Sequence, residues 1–197
     1  MADTLHGFDP PLLIVVTGPP ATGKTTVAEE LAKRLRDPFI GKDLLKETLY
    51  DVFGYGEELE EKLDRAALAL LFNAVDAQLK AGVSVVAESN FDTDSDTAPF
   101  RRIVRDFDVR LIQIHCHAST EAILRTFADR AESGGRHPGH QDEPEDVGEV
   151  RAKLDAGLWD PLDLPGELIE LPVLETDVDY DALAAQVREL AQHTPTQ

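Results

Sequence analysis

The sequence predicts an α/β fold built on a parallel sheet, and three observations carry that expectation. Apolar, β-branched runs alternate with stretches of helical period along the chain. The first run, Leu12–Thr17 (LLIVVT), is apolar almost without interruption, as a strand buried on both faces requires. A glycine-bearing turn follows it and leads straight into a helical stretch, so the chain begins as strand, turn, helix.

The remaining elements follow in order. Residues 25–35 place Val27, Leu31 and Leu35 at helical spacing. Residues 38–40 form a short second strand ending at Gly41. Asp43 then stands where it can cap a helix reaching Val52, with Leu44, Leu45, Thr48 and Leu49 grouped on one side. Gly54 and Gly56 break that helix. Glu57–Lys80 is long and periodic, and Gly82 closes it. Residues 83–87 (VSVVA) predict the third strand, 97–105 a helix, 109–115 (VRLIQIH) the fourth strand, and 119–131 a capped helix. Residues 133–148 hold Gly134, Gly135, Pro138, Gly139 and Pro144 among polar residues, which reads as a mobile loop rather than a packed element. A weaker fifth strand over 168–174 is interrupted by Pro172, which suits a sheet edge. Residues 181–190 close the fold as an amphipathic helix, and 193–197 should fray.

The 197 residues, 42% of them hydrophobic, suffice for one domain with a full core under a sheet. No apolar run approaches the roughly 20 residues that span a bilayer. Residues 1–11 contain Asp3 and Asp9 and no basic cluster, unlike a secretory signal. The single cysteine, Cys116, can make no internal disulfide, so a reducing, cytoplasmic setting is expected. Lys and Arg total 19 against 38 Asp and Glu, a formal net charge of -19. Such a surface repels phosphodiester backbones and anionic membranes, so neither is expected as a partner. The charge serves solubility, or it attracts a cationic small substrate.

The turn after the first strand carries the strongest chemical signal. Gly18-Pro19-Pro20-Ala21-Thr22-Gly23-Lys24-Thr25 matches G-x-x-x-x-G-K-[ST] throughout. Glycines let successive backbone N–H groups turn inward as an anion-binding nest, and the helix start adds its unsatisfied amides and positive dipole end. Lys24 is placed to reach the β- and γ-phosphates of a nucleoside triphosphate, and the Thr25 hydroxyl to ligate Mg²⁺. Gly18, Ala21, Thr22, Gly23 and Thr26 complete the expected nucleotide contacts. A structural turn needs a glycine, but it does not need Lys-Thr at this offset.

Three further features point to phosphoryl transfer onto a second substrate. Asp43 follows the second strand, where the crevice beyond the strand ends of an open sheet binds ligands. It can take a proton from an attacking hydroxyl, or simply cap its helix. Lys46, one turn on, is expected to face the same cleft as a substrate contact or to stand in solvent. Glu88-Ser89-Asn90 ends the third strand; Glu88 can hold Mg²⁺ through water or fix a substrate hydroxyl, and Asn90 can add an amide contact. Asp92 is a second acidic candidate, further into the loop. The arginines Arg125, Arg130 and Arg136 surround the glycine-rich loop; on a mobile lid they would neutralise developing phosphoryl charge and exclude water. Arg125 is expected on the nucleotide and Arg136 on the substrate; for Arg125 and Arg130, which lie on the helix, surface ion pairs are the plainer reading.

Taken in order, GPPATGKTT, KDLLKETL, VVAESNFD and LRTFADRAESGGRHPGH resemble the small-molecule kinase branch of P-loop proteins. The similarity is to the chloramphenicol phosphotransferase and zeta-toxin group, with polynucleotide kinase more distant. That resemblance implies a three-layer fold with a five-stranded parallel sheet ordered 2-3-1-4-5, ATP as donor, Asp43 as catalytic base and Arg130 as a phosphate-binding lid residue. Leu44 stands where the group keeps serine or aspartate, and the glycine triplet of shikimate kinases after the third strand is missing.

Other signals are weaker. Strand alternation sends Cys116 to the opposite face from His115 and His117, which argues against a metal cluster there. His137 and His140 read as polar loop residues, and Trp159 as a packing anchor. The expected activity is transfer of a phosphate from ATP to a hydroxyl of a small molecule such as an antibiotic, nucleoside or sugar. A polynucleotide 5′-hydroxyl kinase and a nucleotide-gated switch acting on a partner are the competing readings. The acceptor pocket is expected among variable segments such as 49–65.

Overall fold

The computed structural model describes residues 8–140, 143 and 146–192. Five strands form one all-parallel sheet: β1 (Leu12–Thr17), β2 (Phe39–Gly41), β3 (Val85–Glu88), β4 (Arg110–His117) and β5 (Glu167–Pro172), in the order β2-β3-β1-β4-β5. The helices are α1 (Lys24–Leu35), α2 (Lys42–Phe53), α3 (Glu57–Lys80), α4 (Thr97–Asp106), α5 (Thr120–Ser133), α6 (Val147–Asp155) and α7 (Tyr180–Gln192). The parallel register pairs Val16 with Glu88 on one side and with Ile114 on the other, so the carboxyl ends of β1, β3 and β4 share one edge.

β1 is fully buried because alternate residues feed two cores. Leu12, Ile14 and Val16 face α1 and α7 through Val27, Leu31, Leu183 and Val187. Leu13 and Val15 face α3 and α4 through Leu71, Val75, Phe100 and Ile103. Burying side chains of this size stabilises by about 1.5–3 kcal/mol each, which makes β1 a fixed base for the turn that follows it. A satellite core of Leu124, Phe127, Val150 and Trp159 joins α5 to α6, so Trp159 is the packing anchor expected of it.

Several boundaries differ from the expectation. β3 begins at Val85 rather than residue 83, because the Ser84 hydroxyl leaves the strand pattern to accept from Leu12 N at 2.9 Å. α2 begins at Lys42 with Gly41 at its cap and no side-chain capping bond, so Asp43 lies inside the first turn and is not the cap. Residues 133–148 are not simply a loop. Ser133 ends α5, Pro138–His140 form a 3₁₀ turn, and Val147 opens α6, which the sequence reading missed. Residues 141, 142, 144 and 145 of that stretch, and 193–197, lie outside the described residues. Gly139 is buried on Tyr50, and a Cβ there would come 2.3 Å from the ring. The glycine is what lets the turn sit flat on α2. Among the described residues, no helix is long and apolar enough to cross a membrane.

Candidate active site

The phosphate loop is shaped by its backbone. Gly18 has φ 133°, and a Cβ there would lie 2.2 Å from the Cys116 carbonyl oxygen, so both conformation and space demand glycine. Ala21 and Gly23 also take positive φ, 62° and 77°, which curls the loop onto α1. No acidic residue occupies the first turn of α1, leaving its amide end unneutralised. Lys24 is only 5% exposed. Its Nζ donates to the Pro19 carbonyl at 2.6 Å, and the Thr22 hydroxyl donates to the same oxygen at 2.9 Å. Burial pushes the Lys24 pKa down, more than Glu88 and Asp43 draw it up.

Opposite the loop stand two carboxylates with different environments. Glu88, at the end of β3, is 4% exposed and accepts from the Thr25 hydroxyl at 3.2 Å. Burial raises its pKa, Lys24 opposes that rise, and Asp43 adds to it. Asp43, on the first turn of α2, accepts from the Arg136 guanidinium. Burial would raise the Asp43 pKa, but the charges of Arg136, His140 and Lys24 outweigh it and hold the carboxyl below its ordinary range.

These groups meet in one cavity of about 110 Å³. Lys24 and Thr25 line it from α1, Asp43 from α2, Glu88 and Asn90 from the end of β3, Arg130 from α5, and Arg136 from the segment beyond. Seven of the side chains singled out from sequence therefore converge. The fold explains why: four separate elements present their ends to the same sheet edge. Thr25 and Glu88 offer hard oxygen donors within 3.2 Å of each other, a donor set that suits Mg²⁺ with its retained waters.

Three candidates fall elsewhere. Lys46 does not face the cleft. It is buried against α3, bonded to Glu60 at 2.6 Å and Asp64 at 2.9 Å, with its Nζ 5.6 Å from the Tyr50 ring. Burial alone would lower its pKa, but the two carboxylates raise it, so the charge is held by α3. Three positions along a helix from Asp43 is nearly a full turn, yet the stripe through Lys42 and Lys46 is the one α3 covers. Arg125 is exposed on α5 and lines neither this cavity nor the one described next. Asp92 closes a turn, accepting from the Asp94 and Ser95 amides. His137 and His140, read as loop polar groups, instead pack around Tyr50.

A second cavity of about 440 Å³ adjoins the loop. Thr22, Gly23 and Thr26 line it on one side, and residues 173–178, after β5, line the other. Sequence reading missed the second wall because nothing in VLETDV marks it locally; only the sheet order places β5 beside β4 and carries its end toward the loop.

The sheet order, the phosphate loop and the cleft beside it define a nucleotide-binding domain of the P-loop kinase fold. The chain belongs to the AAA domain family, whose profile matches residues 13–150. A protein from Chloroflexus aurantiacus, assigned provisionally as a kinase, is 34% identical over 92% of this chain and 98% of its own, with a TM-score of 0.83. Kti12 from Chaetomium thermophilum, solved with ADP and AlF₃, shares the fold at TM-score 0.65 and 20% identity, over 92% of this chain and 100% of its own. A sugar kinase from Janibacter sp. does so at TM-score 0.55 and 19% identity, over 93% and 95%. Comparison with curated proteins gave no match.

Proposed function

We propose that this chain transfers the γ-phosphate of ATP to a hydroxyl of a small molecule. The observation that carries the reading is the convergence of Lys24, Thr25, Asp43, Glu88, Arg130 and Arg136 on one small cavity at the carboxyl edge of the sheet. The loop amides and Lys24 hold the β- and γ-phosphates, and the 440 Å³ cavity between Thr26 and residues 173–178 takes the nucleoside. Thr25 and Glu88 are the residues that would hold Mg²⁺, which when bound supplies charge neutralisation between the phosphates. Asp43 orients the acceptor hydroxyl in line with the γ-phosphate and takes up its proton as the new oxygen–phosphorus bond forms and the bond to the β–γ bridging oxygen breaks, with ADP as the leaving group. Lys24, Arg130 and Arg136 stabilise the charge that spreads over the transferred phosphoryl oxygens. Asn90 contacts the acceptor, and residues 133–140 act as a lid arm that keeps water out.

The cavity is small, which suits the transferring phosphoryl group and a single acceptor hydroxyl beside Asp43. Within P-loop kinases the order of the four segments from the phosphate loop to residue 140 supports the chloramphenicol phosphotransferase and zeta-toxin group, from which Leu44 departs. The charge of -19 and the convergence of nearby cations on a single point argue against a nucleic-acid track. The test is a screen of small hydroxyl compounds for ADP release, with mass detection of a phosphate adduct. A parallel arm uses labelled ATP and oligonucleotides with 5′-hydroxyl ends. Label on those ends would replace the small acceptor with a nucleic-acid end; ATP hydrolysis without any phosphorylated product would replace the kinase with a nucleotide-gated switch.

A further inference from the structure

α2 carries Asp43, Glu47 and Asp51 at intervals of four, so their carboxylates form one stripe along the helix. Each meets a basic side chain from residues 136–140. Arg136 bonds Asp43, His140 Nε2 lies 2.9 Å from Glu47 Oε1, and His137 Nε2 lies 3.1 Å from Asp51 Oδ1. The 3₁₀ turn makes the match possible by folding three nearby side chains onto one helix face. Tyr50, between two of the carboxylates in sequence, stacks on His137 at 5.6 Å and meets the edge of His140 at 5.7 Å. The Gly139 amide donates to His137 Nδ1 at 3.0 Å, which makes Nδ1 an acceptor and leaves Nε2 to donate to Asp51.

The middle pair has a role beyond seating the segment. His140 has a nearly buried side chain, and its Nε2 sits 3.2 Å from Arg136 Nη2 as well as against Glu47. It therefore stands as a wedge behind the guanidinium that enters the phosphate cleft. Resting on the phosphotransfer reading above, we propose that Glu47 and His140 are positioning residues that hold Arg136 in the cleft. An arginine on an unsupported segment would sample many rotamers and lose that freedom at every turnover. With the Glu47–His140 pair in place, the guanidinium is already aimed at the site where phosphoryl charge develops.

The seat also responds to pH. Among the described residues, the charged and titratable groups around His140 are Glu47, Asp43 and Tyr50 from α2 and Arg136 and His137 from its own segment. Burial and Arg136 lower its pKa more than Asp43 and Glu47 raise it, so the seated ring favours the neutral form. A histidine with a lowered folded pKa contributes fully above the ordinary value, and that contribution is lost as pH falls through the lowered one. The seat should loosen on acidification.

The experiment compares the full chain with Glu47→Ala, His140→Ala and the conservative His140→Gln. Two readouts need no acceptor: hydrogen exchange of amides 136–140, and the rate at which phenylglyoxal modifies Arg136, followed by peptide mass. Each alanine variant should raise both by about tenfold. Their combination should add little, because the pair acts as a unit. His140→Gln should restore protection at neutral pH and abolish its dependence on acid. Exchange within α1 reports whether a variant is folded, and the glutamine variant keeps the test open if alanine unfolds the region. Unchanged Arg136 modification in folded Glu47→Ala and His140→Ala would overturn the proposal. So would increased exchange at 136–140 with Arg136 still protected, which would mark a purely structural seat. Where turnover is measurable, kcat should fall with little change in the KM for ATP. Absence of ATP turnover in the unaltered protein would remove the kinase reading, while the two acceptor-free readouts still decide the positioning role.

Discussion

Across one cleft, the phosphate loop and the segment seated on α2 are held by different means. The loop is fixed by backbone: a buried strand behind it, Gly18 wedged against the Cys116 carbonyl, and Lys24 tied to Pro19. The segment at 136–140 is fixed by side chains: three basic groups on three carboxylates, with Gly139 flat against Tyr50. Backbone-built sites persist through substitutions that keep the turn geometry. Seats built from side chains yield to single substitutions and to pH, which is what the proposed lid role asks of this segment.

The largest expected effect lies on the backbone-built side. Lys24→Ala should lower triphosphate turnover by about 10³, with the urea midpoint of the protein almost unchanged. The ammonium is desolvated and is bonded to one loop carbonyl, so the fold loses little without it. Near-normal turnover in the folded variant would remove the loop from the chemistry.

Next comes the carboxylate on which the two sides meet. Asp43→Asn should cut kcat by about 10² with ATP affinity little changed. The structure has removed capping as an explanation, since Gly41 holds the cap position. Its pKa sets a sign for the acid limb. Burial raises it, but Arg136, His140 and Lys24 together lower it, so Asp43 is ionised through neutral pH. Activity and the stability that Asp43 contributes should both be present above the ordinary carboxylate value, and both should be lost as pH falls through the lowered one. A pH–rate profile in which Asp43→Asn keeps the same carboxylate limb would reassign the base to another group.

The same division explains what could be read from the sequence. The loop was legible because its chemistry is local: eight consecutive residues after a buried strand fix the nest, the lysine and the hydroxyl. The sheet order came with the resemblance to P-loop kinases, while Asp43, Glu88 and Asn90 were legible because strand ends share an edge, and Arg130 and Arg136 as cations around a glycine-rich stretch. Lys46 was misplaced because helical spacing gives an angle, not a neighbour, and α3 lies on the side where Lys42 and Lys46 point. The seat on α2 was missed for a related reason. Asp43, Glu47 and Asp51 form a visible stripe, but their partners come from residues 93 positions away, or 86 for His137, in a stretch whose glycines and prolines suggested only mobility. The wall at 173–178 carries no local signal at all.

Gly139→Ala sharpens the comparison on the seat side without touching a charge. A Cβ would meet three atoms of a buried, fixed ring, the nearest at 2.3 Å, so the turn must lift from α2. Overpacking of this kind costs about 2 kcal/mol. The expected result is faster exchange across 136–140 and a lower kcat, with nucleotide binding retained at the loop. Equal loss of nucleotide affinity would mean that the two sides are not separable.

Tyr50→Phe should give the smallest effect and the most specific one. The ring itself is the platform for His137 and His140, and phenylalanine keeps it. Only the hydroxyl goes, which donates to Glu60 Oε2 at 2.6 Å. Burial first, and then Glu60, push the Tyr50 pKa up to about 12, so the group stays a protonated donor across the working range. Its removal takes one hydrogen bond from a carboxylate that Lys46 still neutralises, a loss of about 1.5 kcal/mol in urea unfolding. Exchange at 136–140 should stay near that of the unaltered protein, because the stacking surface and all three pairs with the α2 carboxylates remain. A large rise in exchange there would show that the seat depends on the α2–α3 network behind it rather than on the stripe in front, and would move the boundary between the two regions from the face of α2 to its core.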